Sequence, residues 1–154
     1  MRKNKPTVDS YPHESFIQKS VIKYLTEKGW YVCEEKELWE HGVDIKVRNI
    51  KYSRYGYVEV KGGSQAKSKR AVETNNFVFG LGQIVTRIQT KTNPRADKGG
   101  PKYGVAYPDY FVKYLQSGRL HWNLCRNLNL YIFLVKSNGE VEEYDWTRIE
   151  KEFY

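Results

Sequence analysis

Hydrophobic positions along this 154-residue chain change period from helical to alternating and back again. Ile17, Val21, Tyr24 and Leu25 recur at helical spacing and predict a helix over 11–28, with Pro12 in its first turn and Gly29 just past its end. Residues 30–36 read as a strand. Residues 43–48 alternate, with Val43, Ile45 and Val47 on one face and Asp44, Lys46 and Arg48 on the other. Residues 55–61 alternate again, Val58 and Val60 opposing Tyr57, Glu59 and Lys61. A helix followed by an antiparallel three-strand meander is the expectation. Gly62-Gly63 stops the third strand, and residues 64–76 read as an exposed loop. A second helix is predicted over 77–90 from the stripe Phe77, Leu81, Ile84, Val85 and Ile88. Gly80 and Gly82 are poor helix formers; they point to close approach by another chain or by substrate, or to a helix that begins near Gly82. Residues 91–102 are loop by composition, 103–107 a short strand, and Pro108 opens a helix to about 117. Residues 118–127 carry no clear pattern. Residues 128–135 form the most hydrophobic strand and are expected to be central. Ser137-Asn138-Gly139 then signals a hairpin to a strand over 140–146, with a terminal helix from Thr147. The chain shows no repeat and no linker, so a single α/β domain over 10–154 is expected behind a polar, basic arm at 1–9.

Composition adds a partner class. Hydrophobic residues make up 40% and aromatics 15%, enough for a packed core. The net charge of +8 fits a polyanionic partner (DNA, RNA or an anionic membrane surface), or solubility alone. Cys33 and Cys125 are too few for a disulfide framework and form no C-x-x-C pair, as expected of thiols in a reducing compartment. No apolar run approaches the ~20 residues of a membrane span, and no signal peptide is evident, so a cytoplasmic location is expected. His13, His41 and His121 show no zinc spacing with either cysteine. No Walker-type phosphate loop or dinucleotide fingerprint is present. The 13 tyrosines include spacings compatible with base stacking but more typical of a core.

The candidate chemistry lies at 43–61. Asp44 and Glu59 stand 15 positions apart in valine- and isoleucine-rich runs, with Lys61 two residues after Glu59. Residues i and i+2 of a strand share a face, so Glu59 and Lys61 project together. Adjacent antiparallel strands lie about 5 Å apart, which brings Asp44 within reach. Magnesium takes one or two protein carboxylates and leaves positions for water and phosphate. Such an ion lowers the pKa of a coordinated water and offsets charge on a phosphodiester, while a neighbouring lysine stabilises the charged transition state. Glu14 falls on the apolar stripe of the first helix, where a carboxylate must pair, complement the helix dipole or bind metal. Lys67, Lys69 and Arg70 in the first basic loop, and Lys91, Arg95, Lys98 and Lys102 in the second, are candidate contacts to a nucleic-acid backbone or a solvated surface. Gln83 and Arg87, four apart, sit off the apolar stripe of the second helix, and Arg87 joins the phosphate-contact candidates.

An E-x-K tripeptide alone occurs often by chance. Combined with Gly42-Val43-Asp44-Ile45 upstream, Glu59-Val60-Lys61-Gly62 at a strand end, Glu14 in the first helix and Gln83 in the second, it resembles the PD-(D/E)XK nuclease superfamily. The resemblance covers roughly residues 10–135. It implies the restriction-endonuclease-like fold: a central mixed sheet flanked by helices, in the order αβββαβ. It also implies that Asp44 and Glu59 are metal ligands with the Val60 carbonyl as a third, and that Lys61 is the catalytic lysine. Glu14 matches the first-helix acid that many members place near a metal, and Gln83 a glutamine found in Holliday-junction resolvases. The departure is Val43, where the eponymous proline would stand. The activity implied is that of a magnesium-dependent DNA endonuclease, with manganese able to substitute. A junction resolvase or other structure-selective nuclease, a ribonuclease, and a DNA-binding protein without turnover are the alternatives. Duplex cleavage normally needs two active sites, so a homodimer is expected. A surface Glu59–Lys61 salt bridge, worth under about 1 kcal/mol, would leave the apolar setting of both acids unexplained.

Overall fold

The computed structural model describes residues 10–35, 43–51, 54–64, 69–88 and 101–154. The basic arm at 1–9 and the candidate contacts Lys67, Lys91, Arg95 and Lys98 lie outside the described residues. The elements run α1 (Glu14–Glu27), β1 (Tyr31–Glu35), β2 (Ile45–Asn49), β3 (Arg54–Val60), α2 (Lys69–Arg87) and β4 (Lys102–Pro108). A 3-10 turn (Asp109–Phe111), α3 (Val112–Gln116), α4 (Trp122–Leu128), β5 (Leu130–Val135), β6 (Val141–Tyr144) and α5 (Trp146–Phe153) follow. The first six elements reproduce the αβββαβ order.

One mixed six-stranded sheet is ordered β1-β2-β3-β4-β5-β6. The meander β1–β2–β3 is antiparallel, β3, β4 and β5 are mutually parallel, and β6 returns antiparallel to β5. The parallel strands are covered on both faces and read as near-continuous apolar runs, as parallel sheets do. On one face, Ile17, Val21 and Leu25 of α1 pack on Ile45, Val47, Val58, Val60 and Phe133. On the other, Phe77 and Ile84 of α2 join Tyr103, Val105, Tyr107 and Ile132, with Phe111, Leu115, Cys125 and Ile149 extending the layer. No helix among the described residues is long and apolar enough to cross a membrane.

Several boundaries differ from the sequence expectation for identifiable reasons. Pro12 precedes α1 rather than occupying its first turn; His13 is the N-cap and Glu14 the first helical residue. The predicted loop over 64–76 is half helix, because α2 begins at Lys69. The buried positions of α2 are Glu73, Phe77, Gly80 and Ile84, at helical spacing, but a carboxylate and a glycine occupy two of the four and mask the apolar period. Val85, assigned to the stripe, is 46% exposed. The close approach at Gly80 is made by the protein's own sheet: a Cβ there would lie 2.6 Å from Tyr107 Oη and 2.9 Å from Val105 Cγ1, whereas one at Gly82 would meet nothing within 4 Å. Lys102 is the first residue of β4, not the end of a loop. Its ammonium pairs with Glu143 and lies 3.8 Å from the centre of the Tyr131 ring, a structural pairing at the sheet rather than a loop-borne phosphate contact. β5 is an interior strand between β4 and β6, one place off the middle of the sheet. The unassigned stretch 118–127 contains most of α4, whose N-terminus is capped by His121 Nδ1 accepting from the Asn123 N–H and whose end turns through Asn129 at φ 50°. The Asn138-Gly139 hairpin and the terminal helix form as expected, the latter capped by Asp145.

Candidate active site

The sheet register brings the two acids together. Ile45 pairs with Val58 across the antiparallel β2–β3 ladder. One step further, Asp44 stands opposite Glu59, and directly opposed residues of an antiparallel pair project to the same face. Asp44 lies just before β2, where its carboxylate replaces a backbone acceptor: Asp44 Oδ2 accepts from the Val60 N–H at 2.7 Å. This bond pins the carboxylate at the point where β2 and β3 part.

Glu59 is 2% exposed, inside a strand whose last three residues are all buried. Its Oε1 accepts from Arg87 Nε at 3.2 Å, so α2 supplies a guanidinium directly to the acid. Burial, and then the charge and hydrogen bonding of Asp44, push the Glu59 carboxyl up to about 7, and Arg87 pulls in the opposite direction.

Lys61 follows the strand immediately, its N–H still bonded to the Ala106 carbonyl of β4 at 3.0 Å. Its ammonium lies 3.9 Å from Glu14 Oε1. Gly62 makes this encounter possible: a Cβ there would come within 2.8 Å of the Glu14 amide nitrogen and 2.9 Å of the Pro12 carbonyl oxygen. The Gly63 N–H donates to that same Pro12 carbonyl at 2.8 Å. Gly62-Gly63 therefore does more than stop β3; it seats the start of α1 against the strand end. The Glu14 carboxyl is raised by burial and by Asp44, against the lowering effect of Lys61 and a Gly62 backbone hydrogen bond.

Glu14, Asp44, Glu59 and Lys61 thus form one neighbourhood at the start of β2 and the end of β3. Gln83 sits on α2 one turn before Arg87 and is exposed, with no side-chain bond to Asp44, Glu59 or Lys61 among the described residues. The pairing of Arg87 with Glu59 depends on how α2 lies across the sheet and has no local signature. Lys69 and Arg70 are the first two residues of α2.

Among the described residues, no three His, Cys, Asp or Glu side chains converge closely enough to hold an ion by themselves. A cation here would rest on two carboxylates and a backbone carbonyl, the donor set magnesium accepts when water and phosphate complete its sphere. The electrostatics fit such an ion. Two opposed carboxylates are held together, and burial and then the neighbouring Asp44 keep the Glu59 proton on to about neutral pH in spite of Arg87.

No protein-family model and no curated protein matches the chain. Among solved structures, the chain is similar to an XisH family protein from Nostoc punctiforme, at 16% sequence identity and a TM-score of 0.49, over 82% of this chain and 95% of that one.

Proposed function

We propose that the protein is a magnesium-dependent nuclease that hydrolyses phosphodiester bonds in DNA. The observation that carries this reading is the opposition of Asp44 and Glu59 across the β2–β3 ladder, with Lys61 at the end of the same strand. Asp44, Glu59 and the Val60 carbonyl would hold the ion. When bound there, magnesium, or manganese in its place, supplies a water of lowered pKa and offsets charge on the phosphate.

The chain's own residues supply the rest. The Val60 N–H fixes the Asp44 carboxylate so that it need not reorient during the reaction. Arg87 holds Glu59 in place while the site is free of metal. Lys61 stands where a cation can orient the attacking water and stabilise the phosphorane-like transition state, and Glu14, 3.9 Å away, limits where its ammonium can go. Glu59, at 2% exposure, is little screened by solvent, so a charge brought beside it acts more strongly than it would at an open surface.

The test is incubation of the protein with plasmid, linear duplex, single-stranded and four-way-junction DNA, and with RNA, in magnesium and in EDTA. Cleavage of at least one DNA form in magnesium is expected, abolished by EDTA, reduced at least ~100-fold in Lys61→Ala and retained in Lys46→Ala, as removal of a transition-state stabiliser requires. Wild-type protein that cuts no nucleic acid, or cutting that survives Lys61→Ala unchanged, would refute the proposal. The substrate cut fastest identifies the form of DNA preferred, and a preference for RNA would replace DNA in the reading.

A further inference from the structure

A second cationic feature lies beside this site and takes no part in the chemistry. The N-terminal half of α2, the 3-10 turn and the end of α3 enclose a cleft of about 650 Å³. Lys69, Arg70, Lys113 and Arg119 line it, together with Glu73 and Tyr110. Four positive groups thus face one carboxylate among the described lining residues. Glu73 is 2% exposed and forms the floor. Its Oε2 accepts from Lys113 Nζ at 3.1 Å, and Lys69 Nζ stands 3.8 Å from its Oε1, which makes no hydrogen bond among the described residues. The carboxylate draws two ammonium groups to one spot while cancelling the charge of one. Each ammonium has three donors, so both retain donors for another acceptor. The two lysines also lie over the ring of Tyr110, at 5.0 Å and 5.9 Å from its centre. The Tyr110 hydroxyl is buried beside Glu73 and the Ser64 backbone.

The cleft adjoins the strand end that carries Lys61. A Cβ at Gly63 would overlap the Tyr110 hydroxyl, and Asn76 Nδ2 of α2 donates to the Gly62 carbonyl at 2.8 Å. The same Gly62-Gly63 step therefore borders the candidate active site on one side and the cleft on the other. A chain of phosphates laid across Lys61 would run within reach of this cleft.

We propose that the cleft is a docking subsite for a non-scissile backbone phosphate of the nucleic-acid strand whose neighbouring phosphodiester lies at Lys61. Glu73 is the positioning group, concentrating Lys69 and Lys113, and Arg70 and Arg119 form the rim. This subsite rests on the nuclease reading above, but it is tested by binding rather than by cleavage.

The experiment measures fluorescence anisotropy of labelled single-stranded and duplex DNA in magnesium, with Lys61→Ala as the common background so that the probe is not cut. Arg70 and Arg119 are exposed, so the Arg70→Ala/Arg119→Ala pair should leave the fold intact, with circular dichroism as the check. Affinity is expected to fall at least ~10-fold, and the slope of log K against log salt to shrink by about 1.8 for duplex DNA, the release of roughly two phosphate contacts. The control pair Lys19→Ala/Lys23→Ala, on α1 and lining a separate cleft, should change affinity by less than about twofold. An unchanged affinity and slope in the Arg70/Arg119 pair would overturn the subsite, as would an equal loss in the control pair. Displacement of DNA by polyglutamate at matched charge would assign the cleft to an acidic protein instead and also overturn it. Failure of the parent protein to cut any substrate, by contrast, would remove the nuclease reading even if binding followed the expected pattern.

Discussion

Glu59 is held between the carboxylate of Asp44 and the guanidinium of Arg87, whose charges pull its proton in opposite directions. Burial and Asp44 prevail, and the folded protein keeps that proton to about pH 7, above the ordinary carboxyl range of the unfolded chain. Between those two values the folded state binds more protons than the unfolded state, so metal-free stability falls as pH rises through the window and levels off above it. Glu14 is raised as well and acts in the same direction. In EDTA, the wild-type protein is expected to lose on the order of 2 kcal/mol of stability between about pH 5 and pH 8, and Glu59→Gln much less. Denaturant melts across that range provide the check, and parallel curves for the two proteins would contradict the assignment. At this scale the sequence was partly legible. Alternation in 43–48 and 55–61 is enough to put Asp44 and Glu59 on facing strands, and a lysine at i+2 follows from the strand period. The contact of Arg87 with Glu59 was not legible, because it spans 28 positions and depends on the docking of a helix whose start was itself hidden.

The helix α2 carries an incomplete apolar period. Its core-facing positions include Glu73 and Gly80, neither of which contributes to an apolar period, so its first two turns carry no helical signature in the sequence. Glu73 belongs there because Lys113, from the other side of the cleft, neutralises it, information that no local window contains. The two glycines that weakened the helical signal differ sharply in setting. Gly80 meets Tyr107, whose hydroxyl donates to the Phe77 carbonyl at 2.7 Å, and the Val105 side chain. Gly82 faces open space. Gly80→Ala is therefore expected to destabilise by about 1–3 kcal/mol through overpacking. Gly82→Ala is expected to stabilise by roughly 0.5–1 kcal/mol through helix propensity. Thermal or chemical denaturation of the two variants distinguishes them by sign, and effects of the same sign would mean that the packing of α2 on β4 is misassigned. β2, β3 and the Asn-Gly hairpin were legible because strand alternation and turn chemistry are local; α4 was not, since its N-cap is a histidine, outside the usual capping residues.

The molecule as a whole places its charges according to its layers. The sheet is covered by α1 on one face and by α2 to α5 on the other, and the acids gather where β2 begins and β3 ends. α1 contributes Glu14, the sheet contributes Asp44, Glu59 and Lys61, and α2 contributes Arg87, so the site draws on all three layers. The whole sequence carries a net charge of +8. The central claim is that Asp44 and Glu59 share one divalent cation. Its most direct test is calorimetric titration of Mn²⁺ into the Lys61→Ala protein bound to DNA, compared with the same protein carrying Asp44→Asn. Uptake of about one ion per chain is predicted for the first and its loss for the second, as a site with two protein carboxylates requires. Equal uptake by the two proteins would contradict the account.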